Sequence, residues 1–388
     1  MNTVIPKIRM GFVGGGEGAF IAQAHHQAAG LDGRFELVCG AFSRDANNNA
    51  RTANRLGLAQ SRCYSTWQLM LDAERALPAE QRMELLVIVT PNHLHAPVAS
   101  EALTAGFHVF SEKPAALSLA ELRGLETRLN SSVGLYGLAH TYLGYPMVWQ
   151  AREMVRSGVI GAVRKVLVEY PQGWLSQDVA GQGNKQAEWR GQPELSGVGG
   201  CIADIGTHAF SLAEFVVDQT VTHLCASLGV HVDGRQLDDD CAMLFKMAQG
   251  ATGVLTASQV CAGEENPLSI RVYGDKGGLE WRQEQPASLI HRSLDQPMRV
   301  LRSGIGQPWL CEAATQRMRL PAGHPEGYLE AMANLYGDFA KAIRGEIEGH
   351  TAPGVPGIEV GLRGMAFIEA AIASHTSDAK WTPLECNP

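Results

Sequence analysis

A glycine-rich loop near residue 14, set between an apolar run and a helical one, constrains this chain most. Ile8-Arg9-Met10-Gly11-Phe12-Val13 is short, apolar and β-branched at its end, which predicts a buried strand. Gly14-Gly15-Gly16-Glu17-Gly18-Ala19 follows and fits G-x-G-x-x-A, with Gly14, Gly16 and Ala19 at the three small positions. The first small residue permits a tight turn. The second lets backbone approach a pyrophosphate, and the third lets helix and strand pack closely. The stretch from Ala19 to Ala29 reads as a helix, whose N-terminus would turn unpaired N–H groups and a positive dipole end toward phosphates. An ordinary glycine-rich turn shows the same spacing, but the strand before and helix after make a dinucleotide site the better reading.

The next apolar run, Phe35 to Phe42, ends in Ser43-Arg44-Asp45. An NAD-selective site would place an acidic residue at the strand end, on the ribose hydroxyls. A hydroxyl followed by a guanidinium suits a 2′-phosphate instead, so Ser43 and Arg44 favour NADP(H) over NAD(H). Asp45 supports NAD if the strand end is shifted, and Arg44 could also be solvated or stack on adenine.

With 388 residues the chain is too long for one ordinary core, and two domains are expected. Apolar runs at 8–13, 35–42, 85–89, 107–110 and 133–138 alternate with helical stretches at 46–56, 96–105 and 118–129. That alternation predicts a doubly wound, mostly parallel sheet, a Rossmann domain over residues 1–137. Beyond it the texture changes. After a helix at 148–155, strand-like runs follow near 163–170, 223–232, 241–247, 253–260, 268–273 and 279–281. Helices are expected at 328–344 and 361–373. Residues 138–388 thus read as an α+β domain on a large, mainly antiparallel open sheet. The formal charge of −8 and the lack of a basic block disfavour nucleic acid. No apolar stretch approaches the ~20 residues that span a bilayer. The first strand begins too early for a signal peptide, and eight scattered cysteines without a C-x-x-C pair suit a reducing cytoplasm.

Two motifs carry chemistry. Glu112-Lys113-Pro114 follows the run ending at Phe110. Ligands of doubly wound sheets bind outside the carboxyl ends of strands, so Lys113 is placed to stabilise a developing alkoxide. A cis bond before Pro114 would fix its backbone. Later, Gly197-Val198-Gly199-Gly200 precedes Asp204-Ile205-Gly206-Thr207-His208. Asp204 and His208 are four apart and share a face on a helix. A histidine suits proton transfer from a secondary alcohol, while Asp204 could orient the imidazole, favour its cation or contact a hydroxyl itself. A core histidine and a helix-capping aspartate would leave the same spacing. Trp174, Trp189 and Arg190 flank the same polar stretch and suit the faces and hydroxyls of a sugar or cyclitol. His324 and Glu326, in a Gly-bounded loop, are further candidates. No metal site is recognisable.

With these residues in view, the chain resembles the glucose–fructose oxidoreductase/inositol dehydrogenase/MocA (Gfo/Idh/MocA) family over nearly its whole length. The resemblance rests on the Gly14–Ala19 loop, on Thr90-Pro91-Asn92 with His95, on Glu112-Lys113-Pro114, and on Gly199-Gly200 followed by Asp204 and His208. It implies an NAD(P)-dependent oxidoreductase that moves a hydride between the nicotinamide and a ring secondary alcohol or ketone of a sugar, sugar derivative or cyclitol. It also implies catalytic roles for Lys113, Asp204 and His208. Gly14, Gly16, Glu17, Gly18, Ala19, Ser43, Arg44, Thr90, Asn92, His95, Glu112 and Lys113 would then lie against the cofactor. Lys113, Trp174, Trp189, Arg190, Asp204, His208 and His324 would lie against the substrate. His26 matches a histidine common on the first helix, with no firm role. The open sheet commonly forms the interface in this family, so a homodimer or homotetramer is expected. Two other readings stand beside this one: a redox-neutral NAD-dependent glycosidase of the same fold, and a dinucleotide-binding sensor or scaffold without chemistry.

Overall fold

The computed structural model describes residues 6–177, 185–346 and 354–386, which fall into two compact units. The first comprises the chain up to Ala116, Ala120–Ala139 and Met332–Gly361. Its strands β1 (Ile8–Gly14), β2 (Phe35–Ala41), β3 (Leu85–Val89), β4 (His108–Ser111) and β5 (Tyr136–Leu138) form one sheet in the order β2-β1-β3-β4-β5. Every pairing in it is parallel. The helices are α1 (Phe20–Leu31), α2 (Ala46–Arg55), α3 (Trp67–Ala76), α4 (His95–Thr104) and α5 (Leu119–Asn130). All five residues of β3, Leu-Leu-Val-Ile-Val, are buried, as a strand covered on both faces requires. This is the doubly wound sheet expected from the sequence. From Met332 onward, the helix α11 (Tyr328–Ile343) belongs to this unit as well. Its Tyr336 packs edge-on against Phe35 at 5.3 Å and lies 4.7 Å from Phe110, both centroid to centroid.

The second unit comprises Leu117–Leu119, His140–Ala331 and the chain from Leu362 onward. Its helices are α6 (Pro146–Arg156), α7 (Lys185–Arg190), α8 (Pro193–Ser196), α9 (Thr207–Val217), α10 (Glu312–Thr315), the start of α11 (Tyr328–Ile343) and most of α12 (Ile358–His375). The strands are β6 (Val163–Pro171), β7 (Val221–Gly229), β8 (Asp240–Met247), β9 (Thr252–Ser258), β10 (Ser269–Gly274), β11 (Gly277–Arg282), β12 (Ser288–Ser293), β13 (Arg299–Arg302) and β14 (Thr382–Pro383). They form one nine-stranded sheet in the order β13-β12-β11-β10-β6-β9-β8-β7-β14. Only the β6–β9 pair is parallel. Burial alternates along its strands: Val166, Val168 and Tyr170 on β6, and Cys241, Met243, Phe245 and Met247 on β8, are buried. Helix α9 covers that face over β6, β9 and β10.

The opposite face carries a row in register across four strands. Cys225 pairs with Leu244, Leu244 with Val254, and Val254 with Leu167. Leu244 is 45% exposed. The open face is therefore apolar at its centre.

Candidate active site

The first unit carries its candidate residues at the carboxyl ends of the parallel strands. β1 leads into the glycine loop, where Gly14, Gly15 and Gly18 have φ near +86° to +88°. A Cβ on Gly14 would lie 2.8 Å from the Val89 carbonyl oxygen, so only glycine lets the loop cross the end of β3. The Gly16 Cα side faces Asn48, whose Oδ1 would lie 2.4 Å from an added Cβ and accepts the Glu17 N–H at 2.9 Å. Helix α1 starts at Phe20, one residue later than the sequence pattern suggested, with Ala19 as its N-cap. No side chain caps it, and its first turn holds no acidic residue. Its leading N–H groups thus suit a phosphate. Glu17 pairs with Arg51 at 2.9 Å at the surface.

At the end of β2, the Asn49 carboxamide oxygen accepts the Phe42 N–H at 2.8 Å and the Ser43 N–H at 3.3 Å, fixing the strand end. Asp45 caps α2, accepting the Asn48 N–H at 2.6 Å. The Ser43 hydroxyl accepts the Asp45 N–H at 3.1 Å, and Arg44 is exposed beside them. Past β3, Thr90-Pro91 enters a short turn holding buried Asn92. Among the described residues the buried Thr90 hydroxyl has no hydrogen-bond partner. His95, 1% exposed, sits with Nε2 2.8 Å from the Thr90 carbonyl and Nδ1 2.7 Å from the Pro114 carbonyl. The imidazole thus ties the loop after β3 to the loop after β4. Burial pushes it down from its ordinary pKa, against the two carbonyls, which favour the protonated ring.

The Lys113–Pro114 bond is cis, and Lys113 is half-buried. The adjacent Glu112 is buried and lies on His25, whose Nε2 is 2.8 Å from Glu112 Oε1. Burial pushes the Glu112 carboxyl up. The hydrogen bond from His25, the Lys113 charge and the Lys113 N–H outweigh it, so the group lies below the usual carboxylate range. The family resemblance matches His26 to a histidine common on the first helix, without a firm role. It is His25 that meets the Glu112-Lys113-Pro114 motif, while His26 lines a cavity of about 190 Å³ with Gly15, Gln23 and Arg55.

The second unit holds its own cluster of a carboxylate, an imidazole and polar aromatic side chains. The Asp238 side chain accepts the Gly200 N–H at 2.6 Å and the Ile202 N–H at 2.7 Å, capping the segment that leads to α9. A Cβ on Gly200 would lie 2.2 Å from the Asp238 carbonyl, which accounts for this glycine in the cluster. Residues Ile202–Gly206 form a π-helical turn before α9 begins at Thr207, where a plain α-helix was expected. Such turns re-aim side chains and recur at functional sites. Asp204 Oδ2 accepts a hydrogen bond from Gln259 Nε2 at 2.9 Å and lies 3.4 Å from Arg190 Nε. The Arg190 guanidinium lies 4.4 Å over the Trp189 ring. His208 is buried and ringed by Tyr142, His140 and Tyr170, at centroid distances of 4.8, 5.4 and 6.4 Å.

Beside His208 lies a network of which the sequence reading singles out only Trp174. The Tyr142 and Tyr170 hydroxyls are 2.5 Å apart. Tyr170 donates to Asn266 Oδ1 at 2.7 Å, and Asn266 Nδ2 donates to the Tyr142 oxygen at 3.1 Å. Gln172 Nε2 donates to the same Asn266 oxygen at 2.7 Å, and Trp174 Nε1 donates to Gln172 at 3.1 Å. Burial and then the neighbouring Tyr142 hold the Tyr170 phenol well above its ordinary pKa, so it remains a donor. Trp174 is 36% exposed at the end of this chain. His324 is exposed on a turn, its Nδ1 3.3 Å from the Pro321 carbonyl, and Glu326 is engaged by the Arg319 and Leu320 N–H groups at 2.8 and 3.0 Å. Among the described residues no group of three or more His, Cys, Asp or Glu could hold a metal, and no helix is long and apolar enough to cross a membrane.

The glycine loop at the end of β1 in a parallel, doubly wound sheet defines a dinucleotide-binding fold. Residues 8–139 match the oxidoreductase family with an NAD-binding Rossmann fold, and residues 148–280 match the GFO/IDH/MocA C-terminal domain. The chain is 30% identical over 385 residues, 97% of each chain, to the uncharacterized oxidoreductase YfiI of Bacillus subtilis. It is 25% identical over 308 residues, 72% of this chain and 74% of the relative, to levoglucosan dehydrogenase of Pseudarthrobacter phenanthrenivorans. An inositol dehydrogenase homologue from Azotobacter vinelandii, solved with NADH and myo-inositol, superposes with a TM-score of 0.89 at 32% identity, over 97% of each chain. The chain belongs to the Gfo/Idh/MocA oxidoreductase family.

Proposed function

We propose that this protein is a dehydrogenase that oxidises a ring secondary alcohol of a sugar or cyclitol, or reduces the matching ketone. The observation that carries the reading is the site chemistry: a half-buried lysine at the end of β4 and a buried histidine with an anchored aspartate at the start of α9. A nicotinamide dinucleotide, when bound, supplies the hydride acceptor. The glycine loop and the uncapped N-terminus of α1 suit its pyrophosphate, and the orphaned Thr90 hydroxyl beside Gly14 and the buried Asn92 suit polar groups of the same ligand. His208 takes the hydroxyl proton, Lys113 stabilises the oxygen by charge, and Asp204 holds a neighbouring hydroxyl or the imidazole. Tyr142, Gln172, Asn266 and Trp174 offer the mixed aromatic and hydrogen-bonding surface that a polyol ring demands, with Trp189 and Arg190 beside Asp204. The inositol and levoglucosan relatives support this substrate class.

Support for the cofactor choice is divided. The NADH-bound relative weighs toward NAD(H), and Ser43-Arg44 toward NADP(H). The eight cysteines are all free thiols, which supports a reducing, cytoplasmic setting. A panel of sugars and cyclitols, myo-inositol and levoglucosan included, assayed with NAD and NADP at the reduced-nicotinamide absorbance band tests the proposal. His208→Ala and Lys113→Ala should each lower turnover about 10²- to 10⁴-fold on the best substrate while retaining dinucleotide binding. Near wild-type turnover in both would reject the roles. Glycoside cleavage without net reduction of the dinucleotide would replace a dehydrogenase by a redox-neutral glycosidase.

A further inference from the structure

A buried chain of hydrogen bonds reaches the lysine loop from a helix far along the sequence. The Tyr336 hydroxyl lies 2.7 Å from His25 Nδ1, His25 Nε2 lies 2.8 Å from Glu112 Oε1, and Glu112 Oε2 accepts the Lys113 backbone N–H at 3.1 Å. His25 is fully buried and Tyr336 is 1% exposed. Phe110 packs against both rings. We propose that His25 and Tyr336 are positioning residues, which clamp Glu112 as an anion and through it set the backbone that carries the Lys113 ammonium.

The direction of each bond follows from the chemistry. Glu112 lies below the usual carboxylate range, so it accepts from both sides and the ring proton of His25 sits on Nε2. The Tyr336 phenol lies well above its ordinary range because it is buried, with the Glu112 charge adding to the effect. It therefore keeps its proton and donates to Nδ1. One ring proton satisfies the whole chain. The charged and titratable groups around Glu112 are His25 from α1, Tyr336 from α11, His95 from α4 and Lys113 from its own loop. A carboxylate held at two oxygens cannot rotate without breaking a buried bond, and one of those bonds is to the peptide N–H of the lysine itself. The His25 side chain thereby acts on Lys113 without reaching the substrate.

The inference rests on Lys113 being catalytic, and its test separates the two. On the best substrate of the panel, Tyr336→Phe should lower kcat about 3- to 10-fold, the loss of one neutral hydrogen bond. His25→Leu should lower it roughly 10- to 100-fold, as for a bond to a charged group. KM and the Kd for NADH, read by fluorescence, should hold steady. His25→Gln keeps a donor toward Glu112 and should recover most of the loss. Without its donor the Glu112 carboxyl titrates higher, so the acid limb of kcat should move to higher pH in His25→Leu. In the apo-protein, ¹⁵N-histidine spectra should show the His25 ring proton on Nε2, with its resonance moved upfield in Glu112→Gln. An unmoved acid limb, unchanged kcat in His25→Leu alongside a crippled Lys113→Ala, or a ring proton on Nδ1 would overturn the inference. Active Lys113→Ala would instead sink the catalytic reading beneath it.

Discussion

Replacing His95 with leucine should weaken the first unit by an amount that depends on pH. Leucine keeps roughly the buried volume and removes both ring nitrogens. In the native protein those nitrogens stand 2.8 Å from the Thr90 carbonyl and 2.7 Å from the Pro114 carbonyl, with no solvent to replace them. A neutral imidazole donates one proton, so one buried carbonyl loses its donor, at a cost of about 1–3 kcal/mol. The pH dependence follows from burial, which holds the folded-state pKa of His95 below its unfolded value. The unfolded chain then binds more protons, and wild-type stability is fully present above about pH 6.5. It falls as pH drops toward the folded pKa, by up to about 1.4 kcal/mol per pH unit from this one group. His26 and His108 are also held low by burial and add the same slope to both proteins, so the difference isolates His95. Urea unfolding of wild type and His95→Leu at pH 8 and pH 5.5 should therefore show a gap that narrows on acidification. A gap that widens would refute the reasoning. It would mean that the buried ring carries two protons, one on each carbonyl, and that carbonyl attraction outweighs desolvation.

Two further outcomes are expected. Arg44→Ala should weaken NADP binding by about 1.5–3 kcal/mol, as loss of a charged hydrogen bond does, and leave NAD binding nearly unchanged. Equal losses for both, or none for either, measured by fluorescence titration, would remove Arg44 from cofactor choice. Leu244→Glu places a charge in the Cys225–Leu244–Val254–Leu167 row, on the face of the nine-stranded sheet opposite α9. If that face joins copies of the chain into a dimer or tetramer, light scattering should show a smaller assembly for the variant. A monomeric wild type or an unchanged mass would contradict the interface.

The parallel sheet was legible because buried strands leave contiguous apolar runs. Leu85–Val89 needs no partner information to be recognised, and neither do the loops that follow such strands. β12 and β13 were not legible. Ser288–Ser293 and Arg299–Arg302 alternate too many polar and charged residues, and their pairing is dictated by β11 and not by their own composition. Helix α3 escaped for a related reason, since only Met70, Leu71 and Glu74 of its ten residues are buried. Glu74 is itself fully buried because Arg62, Tyr64 and the Met83 N–H all bond it, a requirement that no local period reveals.

The site divides along the same physical line. A motif is readable when one turn of chain must do several jobs, as at Gly14–Ala19 or Glu112-Lys113-Pro114, because few residue types can do them. The supports of those motifs are drawn from wherever the fold brings a donor. Tyr336 stands 311 positions from His25, and Asn266 stands 124 from Tyr142. Neither has a sequence neighbour that marks it, since a tyrosine on a helix face and an asparagine in a loop are ordinary. Distance in sequence also explains the choice between adjacent histidines on α1. His25 and His26 are indistinguishable by composition, but a one-residue step turns a helical side chain about 100°. That turn carries the first onto a buried carboxylate and the second into a cavity. The chemistry of such a pair is decided by helix phase, and the phase becomes known only once the residues packed against it are fixed.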